Sequence, residues 1–361
     1  MKDGLQPEKR ATATPTLARK GGGRMRTMLR RTIMVSALTA GLVLSGGAHA
    51  EDGPAYGPNL EGFSYPWPVK IFAFPSQRQT LHMAYMDVQP DHPNGRVAVL
   101  LHGKNFCAAT WEQTIHVLSN AGWRVIATDQ IGFCKSDKPE NYQFSFGQLA
   151  LNTHALLESL SIHETTLIGH STGGMLAIRY ALMFPAAVHQ LVLVDPVGLE
   201  DWQEKGVPYR SVDAWYASER GKTADQIRAY EKKVYYDGHW QPSFEPWVQM
   251  LAGMYRGPGR DAVAWNSARL YDMIFTQPVV HEFPKLTVPT VLMIGDKDIT
   301  AIGGDAASPE VRATLGHYPE LGRAATSVIP HARLIEFPAL GHTPQLQDPA
   351  AFHEKLMDAL R

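Results

Sequence analysis

The sequence predicts an α/β protein: a mostly parallel sheet with helices on both faces and an inserted helical subdomain. Three observations carry this. Short apolar runs alternate with segments of helical period between residues 96 and 195, and again from residue 288 onward; spacing of that kind suits βαβ crossovers. Within the rhythm, Gly169-His-Ser171-Thr-Gly173 joins a strand-like run to a helix-like one. Between residues 198 and 285 the apolar strands stop and large aromatics take their place.

The elements follow in order. Val69 to Gln77 and Thr80 to Val88 read as two paired strands. Arg96 to Leu101 is short and apolar and ends at His102-Gly103, the pattern of a strand buried on both faces. Cys107 to Asn120 has helical period, which Gly122 ends, and Trp123 to Asp129 is the next strand. Phe144 to Leu160 is a helix by the spacing of Leu149, Leu156, Leu157 and Leu160. Thr165 to His170 is a strand, Thr172 to Phe184 a helix and Gln190 to Asp195 a further strand. The stretch 198–285 holds Trp202, Trp215, Tyr235, Trp240 and Tyr255 among many rings, in helix-like pieces broken by Gly and Pro. A structureless loop of that length is unusual in a compact domain, so a helical insertion is expected. Strands resume at Val288 to Ile294 and at Ala332 to Phe337, and an amphipathic helix runs from Pro349 to Leu360.

The functional signal is Gly169-x-Ser171-x-Gly173, the pattern of a nucleophile elbow, where a strand turns sharply into a helix and lifts a serine hydroxyl beyond the sheet. One such pattern in a chain with 31 glycines is weak evidence alone. A serine also needs a general base, and the base needs a group to orient it. Ligands of such sheets sit beyond the carboxyl ends of the strands, so both partners are sought just after later strands. Asp296 and Asp298 follow one of them in Gly-Asp-Lys-Asp, and His342 follows another in Leu-Gly-His-Thr-Pro. His102 and His170 read as structural, bonding loop backbone beside the site. No His-Glu-x-x-His, cysteine cluster, dinucleotide fingerprint or phosphate loop occurs, so neither a metal nor a cofactor is expected.

The amino terminus is read apart from the fold. Residues 1–24 are basic and Gly-rich without apolar period, a disordered extension or the product of a start codon set too early. Residues 25–50 have the form of an export signal: Arg26, Arg30 and Arg31, an apolar stretch from Ile33 to Leu44, and Ala48-His49-Ala50 for cleavage. The apolar run is too short to span a bilayer, so a periplasmic or secreted protein without a stable membrane anchor is expected. In an oxidising compartment the two cysteines, Cys107 and Cys134, are either a disulfide bracing neighbouring loops or two buried thiols. The formal net charge of −1, with no basic stripe, argues against a nucleic-acid partner. Oligomeric state is not legible.

Taken together, Leu-Leu-His102-Gly103-Lys-Asn, Asp129-Gln-Ile-Gly-Phe-Cys-Lys-Ser-Asp, Gly-His-Ser171-Thr-Gly-Gly, Gly295-Asp-Lys-Asp298 and Gly341-His342 resemble the ordered motifs of a capped α/β-hydrolase, over roughly residues 66 to 361. The loop after Asp129 is similar to that of epoxide hydrolases and haloalkane dehalogenases. Those enzymes use an aspartate nucleophile where this chain has Ser171, so the resemblance implies a serine hydrolase of the esterase kind. It implies a core of residues 51–197 and 286–361 and a cap of residues 198–285. It implies a triad of Ser171, Asp298 and His342, the Gly-x-x-Asp pattern favouring Asp298 over Asp296. Oxyanion donors would be the backbone N–H groups of Thr172 and Lys104, with Asn105 the alternative to Lys104. The segment Ala301 to Ser327 is longer than usual and a second candidate for shaping the pocket. The expected substrate is a moderately apolar small molecule carrying an ester or related acyl group. C–C hydrolysis, acyl transfer or perhydrolysis by the same triad, and a slow-turnover receptor, are the alternatives.

Overall fold

The computed structural model describes residues 53–361; the extension and signal expected over residues 1–50 lie outside them. The chain opens with an antiparallel hairpin, β1 (Val69–Ser76) and β2 (Gln79–Val88). Its two-residue turn, Gln77-Arg78, holds both residues at positive φ, 49° and 64°, the hand that matches strand twist. There follow β3 (Val97–Leu101), helix α1 (Glu112–Asn120), β4 (Arg124–Thr128), α2 (Phe146–Ser159), β5 (Thr165–His170), α3 (Thr172–Met183) and β6 (Val188–Val194). Ser145 caps α2 by accepting the Gln148 N–H.

The insertion contains α4 (Val212–Arg220), α5 (Ala224–Val234), α6 (Glu245–Arg256) and α7 (Arg260–Thr276), and no strand. A capping box between Thr223 and Gln226 starts α5, and a Pro in the first turn of α6 suits its unbonded N–H groups. Most of the aromatics pack among themselves: Trp215 stacks on Tyr271 at 4.2 Å and Tyr236 on Phe244 at 3.9 Å. The chain then returns through β7 (Thr290–Gly295), the single turn α8 (Pro309–Arg312), α9 (Tyr318–Val328), β8 (Ala332–Phe337), the single turn α10 (Pro344–Gln347) and α11 (Pro349–Ala359).

Among the described residues eight strands form one sheet in the order β1-β2-β4-β3-β5-β6-β7-β8. Only the β1–β2 and β2–β4 pairings are antiparallel. Helices α1 and α11 cover one face, with Trp111, Leu118, Phe352 and Leu356 buried there. Helices α2, α3 and α9 cover the other, continuous with the packing of the insertion. Because the parallel strands point one way, the loops after β3, β5, β7 and β8 gather at one edge of the sheet.

Two expectations change. Residues 301–327, a candidate for shaping the pocket, contain α9, which packs on β7 and β8 as the crossover a parallel pair requires. Tyr318, at its start, stands 6.4 Å from the His342 ring. Residues 54–60, expected with the sheet domain, lie against the insertion: Tyr56 N–H donates to Gly253 O at 2.8 Å and Arg256 Nε to Pro54 O at 2.8 Å. A Cβ on Gly257 would fall 1.7 Å from Tyr56 O, so that crossing needs glycine.

Candidate active site

The elbow is built from three strands. β5 is buried along its length and delivers Ser171 at φ 56°, ψ −121°, a strained conformation for a residue with a Cβ. Hydrogen bonds hold it there: the Ser171 N–H donates to Val194 O at 3.0 Å, and its carbonyl accepts from Gly174 N–H at 2.9 Å. A Cβ on Gly169 would lie 2.3 Å from Gly173 O, and one on Gly173 would lie 2.1 Å from Leu101 O. Backbone therefore occupies the space of both missing side chains, which is why the pattern spaces its glycines around the serine.

Ser171, His342 and Asp298 meet across the carboxyl edge of the sheet. Ser171 Oγ donates to His342 Nε2 at 2.9 Å, and His342 Nδ1 donates to Asp298 Oδ2 at 2.6 Å. The second oxygen of Asp298 accepts the Thr300 N–H at 2.8 Å. All three residues are buried; Ser171, at 6% exposure, is the most open of them. Asp296 is half-buried, makes no bond to His342 among the described residues, and is faced by Glu336, Arg323, Lys297 and Lys355. Burial first and Glu336 second raise its carboxyl above the usual range.

The loop after β3 approaches the serine closely: a Cβ on Gly103 would stand 2.9 Å from Ser171 Cβ. Among the described residues the N–H groups of Lys104, Asn105 and Thr172 enter no backbone hydrogen bond, and Lys104 follows Gly103 directly. Cys107 and Cys134 are joined in a disulfide at the end of this loop. Asp129 links the same two loops by accepting the N–H groups of Ala108 (2.8 Å) and Lys135 (3.0 Å). His102 Nδ1–H donates to Gly103 O at 2.8 Å while its Nε2 accepts the Gln130 N–H at 3.2 Å. His170 Nε2–H donates to His342 O at 2.8 Å. Burial lowers both imidazoles below the usual histidine range, so they serve as neutral braces for the loops.

Two features had no sequence signal. Tyr235, at the end of α5, stacks on the His342 ring at 4.6 Å, accepts the His342 N–H through its carbonyl at 3.0 Å, and takes a bond from Asn105 Nδ2 to its hydroxyl at 2.9 Å. One insertion residue thus touches both the histidine and the loop after β3. The Lys104 side chain, beyond its backbone, is buried against α4 and α7, donating to Ser267 Oγ at 2.7 Å and Glu219 Oε2 at 3.3 Å. Burial brings its ammonium down to about 7, against the opposing pull of Glu219.

Known proteins share this architecture. Residues 97–349 match the family described as alpha/beta hydrolase fold. The crystal structure of a probable hydrolytic enzyme from Pseudomonas aeruginosa PAO1 is 60% identical, with a TM-score of 0.85 over 86% of this chain and 99% of that one. An esterase from Exiguobacterium antarcticum, 22% identical over 78% of this chain and 96% of its own with a TM-score of 0.62, shares the fold. The 2-hydroxy-6-oxo-2,4-heptadienoate hydrolase of Pseudomonas putida is 26% identical over 211 residues, 54% of this chain and 74% of that protein.

Proposed function

The chain belongs to the α/β-hydrolase fold family, and from that membership we propose that it is an exported serine hydrolase cleaving a carboxylic ester or related acyl compound through an acyl-enzyme. The observation that carries the reading is the unbroken relay from Ser171 Oγ through His342 to Asp298. Ser171 Oγ attacks the acyl carbon while its proton passes to His342 Nε2, and Asp298 holds the tautomer and stabilises the imidazolium. The tetrahedral oxyanion lies against the N–H groups of Thr172 and Lys104, each worth about 3 kcal/mol of transition-state stabilisation. Collapse breaks the bond to the alcohol, which leaves with the proton from His342. Water, deprotonated by the same histidine, then attacks the acyl-enzyme and releases the acid. Tyr235 stacks on His342 beside a serine that is 6% exposed, so the insertion forms part of the wall around the reacting hydroxyl. The Cys107–Cys134 disulfide supports the export part of the reading.

A second reading, C–C bond hydrolysis by the same residues, is favoured by the likeness to the Pseudomonas putida hydrolase. The test is hydrolysis of p-nitrophenyl esters of graded chain length by wild type and Ser171→Ala. Activity in the wild type that falls by about 10⁶-fold in the variant is expected. If no ester is cleaved but a fluorophosphonate labels Ser171, C–C hydrolysis takes precedence; no labelling removes the nucleophile from the reading.

A further inference from the structure

A narrow cavity lies between the insertion and the loop after β3. Apolar side chains such as Phe106, Phe133, Met250, Met254 and Leu270 make most of its wall. Ser171 does not line it. Loop 103–107 borders both, since Gly103 sits against Ser171 while Lys104 faces the cavity. The lining holds two lysines, Lys104 and Lys138, and no carboxylate. Lys138 Nζ donates to the carbonyls of Cys134 at 2.6 Å and Ser136 at 2.9 Å, and its ammonium has no ion pair among the described residues.

Behind Lys104 two ammonium groups share a single carboxylate. Glu219, 1% exposed, accepts from Lys222 Nζ at 2.6 Å, Tyr255 Oη at 2.6 Å and Lys104 Nζ at 3.3 Å, and from the Ser267 hydroxyl. The Tyr271 ring lies beneath both lysines, 3.6 Å from Lys104 Nζ and 5.5 Å from Lys222 Nζ. Tyr255 and Ser267 also line the cavity, so this network is its polar end. Glu219 balances one ammonium, so a protonated Lys104 beside Lys222 leaves one positive charge too many where water scarcely reaches. With its ammonium brought down to about 7, Lys104 keeps its proton there only when an anion joins the cluster. Glu231, the other buried carboxyl acting on Lys222, does not balance it: burial pushes it up to about 8, leaving it neutral at pH 7. An unbalanced buried charge is unfavourable until an anion completes it.

We propose that the Lys104–Lys222–Glu219 cluster receives a carboxylate on the substrate, so that this hydrolase acts on acyl compounds carrying an acidic group away from the scissile bond. The inference rests on the hydrolase reading and names the substrate class of that site. If the cluster served only to tie the insertion to the loop, its loss would slow charged and neutral substrates alike.

The experiment measures kcat/KM for p-nitrophenyl monoesters of succinic, glutaric and adipic acid against the same esters capped as methyl diesters. In wild type at least one free acid is expected to exceed its capped form about tenfold or more. That ratio should collapse in Lys104→Met and survive in Lys104→Arg, which keeps the cation. A ratio that is the same in wild type and Lys104→Met, or a uniform preference for the capped esters, overturns the proposal while leaving the hydrolase reading intact. Calorimetric binding of glutarate decides the case in which no ester is cleaved. Saturable binding weakened about tenfold by Lys104→Met supports the anion site; no binding, or equal binding to both proteins, overturns it.

Discussion

Asp298 and Asp296 stand two positions apart and face different surroundings. Asp298 is buried with both oxygens engaged, one by His342 and one by the Thr300 backbone. Asp296 faces a partly solvated group of lysine, arginine and glutamate. Substituting Asp298 by Ala is therefore expected to lower kcat about 10³- to 10⁴-fold, the scale for losing the group that orients a catalytic histidine. Asp296→Ala should change it less than about tenfold, and steady-state kinetics of the two variants on one ester reads the ranking; a reversal would move the acid. These positions were legible because short backbone-determined motifs hold them: glycines whose Cβ atoms would strike Gly173 O, Leu101 O or, for Gly295, Gly341 O at 2.1 Å leave a spacing in the sequence. Tyr235 and the Lys104 side chain left none. Each joins the insertion to the sheet domain across about 100 residues or more of chain, Tyr235 with His342 and Lys104 with Glu219, and one tyrosine in an aromatic-rich stretch looks like any other.

At the scale of elements, the interior strands were readable because both faces are covered, which writes them as unbroken apolar runs. The leucine spacing places α2 but not its start, which the sequence puts at Phe144 although Ser145 caps the helix and Phe146 begins it. The single turns α8 and α10 were not readable, being too short to show a period, and the arm at residues 54–60 has no period at all. The pair Cys107 and Cys134 lay between: two cysteines are an even number, but only folding brings loops 27 residues apart together. Closing a loop of that size is worth about 3–4 kcal/mol through the unfolded chain. The double variant Cys107→Ser/Cys134→Ser should lose about that much in denaturant unfolding. It should also lose activity, since the bond anchors the loop carrying the Lys104 N–H. Periplasmic protein beginning at Glu51 with no free thiol would support export together with the bond. Free thiols in exported protein, or a stability unchanged by the double variant, would remove the bracing role.

Across the whole molecule, the insertion is held over the site by groups taken out of water, and one of them makes stability depend on pH. Glu231 of α5 is fully buried, and among the described residues neither of its carboxylate oxygens has a hydrogen-bond partner. Burial, with a smaller push from Glu245, raises its carboxyl from 4.5 to about 8, while Lys222 and Arg228 act in the opposite direction. Between those two values the unfolded chain gives up this proton and the folded protein keeps it. The folded state then binds more protons than the unfolded one, so this group lowers stability as pH rises through the window, by up to about 1.4 kcal/mol per pH unit. Below the window the group contributes nothing, and above it the loss is complete. Glu231→Gln keeps the shape and removes the titration. The variant's gain in melting temperature over wild type is therefore expected to be small near pH 5 and to grow toward pH 8. A gain that stays constant across that range would mean that Glu231 is ionised in the folded protein and already paired. The lysine cluster would then be balanced from within, and the anion expected from the substrate would have no charge left to meet.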